Sequence, residues 1–231
     1  MTSAEKRGLD DAFELAGSGD FSGLPVLIAG LGSANEDVRL RAAWLNGRVG
    51  SPQAMAGVAD LARHDPVSAI RNQAMFALVG IGRPAVVPVL AAALGDPDPG
   101  RRDDARTALY RLLGHSVIRL LADEDEQDQA DPREPARVMA WWGARSGQFD
   151  PELVYFRAEP ASPGVFIGQV EARRHDAVPD AILNALSDWT GQDFGRRLPL
   201  SETVGKWQSW WTANREHYAA GRRYFHGYLV P

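Results

Sequence analysis

Two glycine-rich stretches carry the spacing of a phosphate cradle. Gly80-Ile81-Gly82-Arg83-Pro84-Ala85 satisfies Gly-x-Gly-x-x-Ala, and Gly30-Leu31-Gly32-Ser33 follows the apolar run Leu24 to Ala29 as a strand would enter such a turn. Dinucleotide binding needs a preceding strand, a phosphate-binding helix and an acidic residue about 20 positions on. The first stretch follows a helical pattern and the second lacks its third glycine, so both read as boundaries between structural units. Nucleophilic hydrolysis has no Gly-x-Ser-x-Gly elbow, and without cysteine there is no thiolate chemistry, disulfide or Cys-ligated zinc. His64, His115, His175, His217 and His226 form no i, i+4 metal pair. Asp103 and Asp104 are adjacent on a helix and diverge by about 100°. No catalytic residue, metal ligand or cofactor is assigned, although residues distant in sequence could still meet.

Arginine and tryptophan offer recognition instead. Arg39, Arg71 and Arg102 recur 32 and 31 residues apart. They form either a basic stripe for phosphate or acidic peptide, or structural contacts to carbonyls and to carboxylates such as Asp37 or Asp65. The structural assignment is preferred. Off the apolar face of the same segments lie Arg41, Trp44, Arg48, Phe76 and Arg111. Arginine beside exposed aromatics is the composition of interface hot spots, so these five are the expected protein-binding residues. The competing reading packs Trp44 against the amino-terminal helix.

These side chains need helices to hold them. Val38, Ala42, Leu45 and Val49 share one helical face, and Ile70, Ala74, Ala77 and Ile81 repeat it one unit later. The expected first helices run from Leu24 to Leu31, Gln53 to Arg63 and Pro84 to Leu94. The second helices run from Asp37 to Val49, Pro66 to Ile81 and Pro99 to Leu113. Pro66, Pro84 and Pro99 suit a first turn, and Gly50, Gly82 and Gly114 suit a C-terminal position with positive φ. In the third unit Arg101 replaces the apolar residue, which predicts a helix offset by one residue. Residues 3–17 form a capping helix with Leu9, Phe13 and Ala16 inward.

The organisation predicted is a capping segment over 1–23, repeats over 24–114, a helix end and acidic linker over 115–135, and two divergent Trp-rich helical modules over 136–231. The run Asp123 to Asp131 reads as a solvated linker, not a calcium loop. Beyond it, a shift of 69 residues superposes Trp141, Trp142, Phe149, Tyr155 and Phe156 on Trp210, Trp211, Tyr218, Tyr224 and Phe225. Trp141, Trp142, Trp207, Trp210 and Trp211 are therefore expected to be structural. Trp142 and Trp211 anchor the tail to the repeats, while Tyr155 and Tyr224 close the turns.

A 31–32-residue period marks stacked helical units, each unable to bury its apolar face alone. The units resemble the HEAT-like repeats of the bacterial phycobilisome-lyase type, which carry Asp-x-x-Val-Arg-x-x-Ala and end near Ile-Gly. Here Val38-Arg39-Leu40-Arg41-Ala42, preceded directly by Asp37, matches the Val-Arg-x-x-Ala part of that pattern, and Ile81-Gly82 matches its close. The Trp-x-x-Trp-Trp tail is similar to tails of bacterial HEAT-repeat proteins, some of which accompany secretion machinery. The resemblance implies an all-α solenoid, a right-handed superhelix of helix pairs, and a non-catalytic adaptor or assembly factor for a protein partner. The alternatives it leaves are a DNA-binding or DNA-repair protein and a bilin-lyase-like accessory enzyme. Net charge is −5, and neither side of Gly114 is basic, which disfavours nucleic acid. No apolar run is long enough to span a bilayer, and the polar amino terminus carries no signal core. The expectation is a cytoplasmic protein of bacterial type.

Overall fold

The computed structural model describes residues 3–114, 132–171, 180–194 and 199–231. The acidic run Asp123 to Asp131, His115 and His175 lie outside them, while residues 134–135 of the expected 115–135 segment already belong to a helix. The architecture is an all-α solenoid of helix pairs with a folded-back tail. Helix α1 (Ser3–Gly17) buries Leu9 and Ala16 and half-buries Phe13. The first helices are α2 (Leu24–Ala29), α4 (Met55–His64) and α6 (Val87–Ala93), the last two each entered through a short 3-10 turn at Pro52 or Pro84. The second helices are α3 (Glu36–Val49), α5 (Ser68–Ile81) and α7 (Pro99–Leu113), and they stack in that order. Pro66 does not open α5. Val67 is its N-cap residue, and Pro66 stands ahead of it.

Apolar spacing explains the stack. Val38, Ala42, Leu45 and Val49 are buried, and so are Ile70, Ala74, Ala77 and Ile81. In α7, Arg101, Ala105, Ala108 and Leu112 occupy the same four positions and are all buried. The expected one-residue offset of the third helix is therefore absent. Arg101 keeps the register because its guanidinium pairs with Asp96 at 2.8 Å and bonds the Ala62 carbonyl of α4.

The recurring arginines carry the same bonds in every unit. Arg39 donates to the carbonyls of Ser33 and Ala34, Arg71 to Asp65 and Pro66, and Arg102 to Asp96 and Pro97. Each thus pins the two carbonyls six and five residues before it, in the loop feeding its helix. Arg39 also forks onto Asp65 at 2.7 and 3.2 Å, tying the first unit to the second.

Small residues set the helix separation. A Cβ on Gly47 would fall 2.6 Å from the Ala77 backbone, and one on Gly80 would fall 2.2 Å from the Gly47 carbonyl oxygen. Gly80-x-Gly82 is thus the product of a tight α3–α5 crossing followed by a left-handed cap, with φ of +67° at Gly82.

The tail consists of two copies of one plan. Helix α8 (Glu134–Arg145) runs through the 3-10 turn Ser146–Gln148 to a hairpin of β1 (Tyr155–Phe156) and β2 (Glu159–Pro160). After α9 (Pro163–Glu171) and α10 (Asp180–Thr190), helix α11 (Leu200–Asn214) runs through Arg215–His217 to β3 (Tyr224–Phe225) and β4 (Tyr228–Leu229). The 69-residue shift relates the end of α8, its 3-10 turn and both strands of the first hairpin to the end of α11, its 3-10 turn and both strands of the second. Each hairpin turns on two residues with positive φ, Arg157 and Ala158 in one, His226 and Gly227 in the other. Such turns match the right-handed twist of the strands. The Tyr155 hydroxyl accepts from the Asp150 N–H and the Tyr224 hydroxyl from the Ala219 N–H. Trp142, Phe149 and Tyr155 interlock as Trp211, Tyr218 and Tyr224 do. The tail modules are therefore not purely helical.

Of the two tryptophans expected to anchor the tail, Trp142 joins the core of the repeats. Trp211 packs on α9 instead, where a Cβ on Gly164 would fall 2.8 Å from its indole. Trp141 lies half-buried against the repeat core, and Trp207, fully buried, donates its indole N–H to the Phe194 carbonyl. Trp210 is half-buried beside Trp207 and Trp211.

The tail returns to the repeats by capping helix ends. Arg223 donates to the carbonyls of Arg48 and Val49 at the end of α3. The Tyr155 N–H bonds Gly82 beyond α5, and the Arg157 and Ala158 N–H groups bond Arg111 and Leu112 of α7. The second hairpin does the same for its own preceding helix, with His226 and Gly227 donating to Asp188 and Trp189 of α10. Phe225 then reaches α1, its ring 5.1 Å from that of Phe13.

Two measurements follow from this geometry. Burial alone would raise the Asp65 pKa, but hydrogen bonds from Arg39 and the Val67 N–H, with the charges of Arg39 and Arg71, hold it below its ordinary value. A depressed carboxylate pKa stabilises the fold above about pH 4 and loses that contribution as pH falls through the folded value. Denaturant titrations should show Asp65→Asn destabilised by about 2–4 kcal/mol at neutral pH, with a shallower acid loss than wild type. Burial pushes the Arg223 guanidinium down to about 10, partly opposed by Asp188, so its hydrogen bonds must offset the desolvation. Arg223→Met should cost only about 1–2 kcal/mol yet speed amide exchange in the 224–229 hairpin selectively. Uniform exchange across the chain would contradict that role.

Candidate functional site

The second helices and the tail do not close flush. Between α3, α5 and α7 on one side and β1, α9 and α10 on the other lies a cleft of about 600 Å3. An open solenoid surface has no such cavity, so the cleft is a product of the folded-back tail. Helical spacing aims its repeat-side walls. Trp44 and Gly47 come from α3, Gln73, Phe76 and Gly80 from α5, and Thr107, Tyr110 and Arg111 from α7. The far walls include Phe156, Phe166, Ile182 and Trp189.

The five expected binding residues divide into two groups. Arg41 pairs with Asp10 of α1 at 2.7 Å, and its guanidinium lies 4.5 Å from the Trp44 ring centroid. Arg48 bonds Asp188 of α10 through its Nε at 2.9 Å and lies over both Phe13 and Trp44. Trp44 is half-buried and stacks on Phe13, with centroids 6.3 Å apart. These three residues thus tie the first unit to α1 and to the tail, with Trp44 also at the cleft wall. Phe76 and Arg111 form the second group. Both line the cleft, and the Arg111 guanidinium lies 5.7 Å from the Phe76 centroid.

Charge inside the cleft is unbalanced. Among the described residues its lining holds Arg111, Arg157 and Arg223 against Asp188 alone, and Arg48 already engages Asp188. Arg223 is spent on backbone carbonyls. Arg157 gives one amino group to Gln169 while its Nε is buried without a hydrogen-bond partner among the described residues. Its guanidinium stacks 4.8 Å from the Tyr110 centroid. Burial pushes the Arg111 pKa down, with the Asp104 carboxylate opposing. Sequence reasoning missed Arg157, Tyr110, Phe156 and Trp189 as wall residues. The 69-residue duplication was the signal available, because it marks Arg157 and Phe156 as parts of a repeated hairpin.

Among the described residues no cluster of His, Asp and Glu is placed to hold a metal ion, and no helix is long and apolar enough to cross a membrane. His64 and His217 are exposed, and His226 stacks on Phe225.

A search of the curated proteins finds no significant match to this chain. The family model for HEAT repeats matches residues 24–110, from the start of α2 into α7. Over that span the chain is built of HEAT-like repeats, stacked as an α-solenoid.

Proposed function

We propose that this protein is a non-catalytic scaffold that binds a protein partner at the cleft between the second helices and the tail. HEAT repeats commonly serve as interaction scaffolds, and the observation that carries the reading here is the placement of Phe76 and Arg111. They belong to the second helices of adjacent repeats, they line open space, and Trp44 extends the same wall. An aromatic ring beside an arginine, set in a recess, is where binding energy concentrates in interfaces. Assembly of a multiprotein machine, such as a bacterial secretion system, is the role this reading favours, in the cytoplasm.

The ion pairs weigh against a DNA interface. Arg41, Arg48 and Arg106 face Asp10, Asp188 and Glu134, and the recurring arginines are committed to loop carbonyls. Phosphate binding requires cations free to replace counterions.

A tagged, nuclease-treated pulldown from native lysate tests the scaffold reading. Wild type should retain one near-stoichiometric protein, and the Phe76→Ala, Arg111→Gln double variant should lose it while keeping a cooperative melt. Unaltered capture by the folded double variant would contradict the site. Trp44 and Arg48 are unsuitable for this test because they hold α1 and α10 in place.

A further inference from the structure

We infer that the cleft is a binding site for a small organic anion, a carboxylate-, sulfonate- or phosphate-bearing molecule with a flat apolar body. This goes beyond the scaffold reading, which requires no small ligand.

Size is the first ground. About 600 Å3 falls within the range of sites that enclose a small molecule. It is walled by rigid elements from both the repeats and the tail, not by one shallow helix face.

Charge is the second. The whole chain is acidic at −5, yet among the described residues three arginines and one carboxylate line this recess. The carboxylate is neutralised by Arg48 from outside the lining. Arg111 makes no hydrogen bond or ion pair among the described residues. The acid acting on it is Asp104, two helical turns away on α7. Arg157 is tied to Arg111 by its backbone N–H to the Arg111 carbonyl, and its Nε is buried without a hydrogen bond among the described residues. Two guanidinium groups in one partly desolvated recess, with donors unused among the described residues, call for an anion, since an unmade hydrogen bond from a buried charge is costly.

Shape is the third. Phe76, Tyr110, Phe156 and Phe166 line the recess, and the guanidinium planes of Arg111 and Arg157 already lie over Phe76 and Tyr110. A flat ring extends that stack and carries its anionic head to the arginines. A bare inorganic ion would leave the apolar walls unfilled.

The probe is an anilinonaphthalene sulfonate dye, with uncharged phenylnaphthylamine as its neutral counterpart. Titrated into the full chain, the sulfonate should bind saturably at one site per chain with a micromolar constant. Arg111→Gln should weaken it roughly tenfold, the loss of one charge-assisted hydrogen bond. Arg111→Lys should recover part of that loss. The neutral dye should bind wild type and Arg111→Gln alike. Should the variants fold poorly, wild type alone decides. Raising salt from about 0.05 to about 0.5 M should weaken the sulfonate and leave the neutral dye unchanged. The proposal is overturned by non-saturable binding, by equal sulfonate affinity in wild type and Arg111→Gln, or by equal salt response of the two dyes. Failure here with a partner captured through Phe76 and Arg111 removes the ligand site and leaves the scaffold. A dye site without any captured partner removes the scaffold and leaves the ligand site.

Discussion

Every α-helix ends with carbonyl groups that its own backbone cannot satisfy, and this structure is organised around that need. The ends of α3, α5 and α7 point to one edge of the stack, each followed by a glycine with positive φ. The tail supplies donors to each: the Arg223 side chain for α3, the Tyr155 N–H at Gly82, and the first hairpin for α7. Once those bonds form, the tail must run along the edge and cannot extend the solenoid outward. The cleft and the contact between Phe225 and α1 both follow from that path.

The duplication in the tail obeys the same logic. Each hairpin caps the helix that precedes its own module, with two N–H groups bonding two consecutive carbonyls. Helix α7 is thus at once the last repeat helix and the first half of a capped unit, and α10 is its counterpart. Within each unit the Trp, Phe or Tyr, and Tyr triad builds the support beneath the hairpin. Large aromatic burial suits a region whose strands are only two residues long and cannot hold a sheet by themselves.

The repeats were legible in sequence because their determinants are local. Period, apolar face, terminal glycine and arginine all lie within one unit, and they agree. The error at Arg101 came from reading residue type as position. A buried arginine kept the register because Asp96 and the Ala62 carbonyl receive it. The 69-residue duplication was legible too, but its hairpins were not. Two-residue strands have no periodicity, and Arg157-Ala158 lacks the Asn-Gly chemistry that announces such a turn. The cleft was the least legible feature. It depends on pairs such as Arg48 with Asp188 and Arg223 with Val49, separated by 140 and 174 residues. No local pattern encodes contacts at that range, so Arg41, Trp44 and Arg48 could be placed on a face but not seen to be occupied.

The central claim is that the tail docks across the helix ends and brings the last hairpin to α1. The chain has no cysteine, so Glu14→Cys with Leu229→Cys places exactly two spin labels, one on exposed α1 and one on the exposed edge of β4. Pulsed electron-spin resonance on the doubly labelled chain should give one narrow, short-distance population. A broad distribution at long distances, as an undocked tail on an open solenoid would produce, would contradict the account.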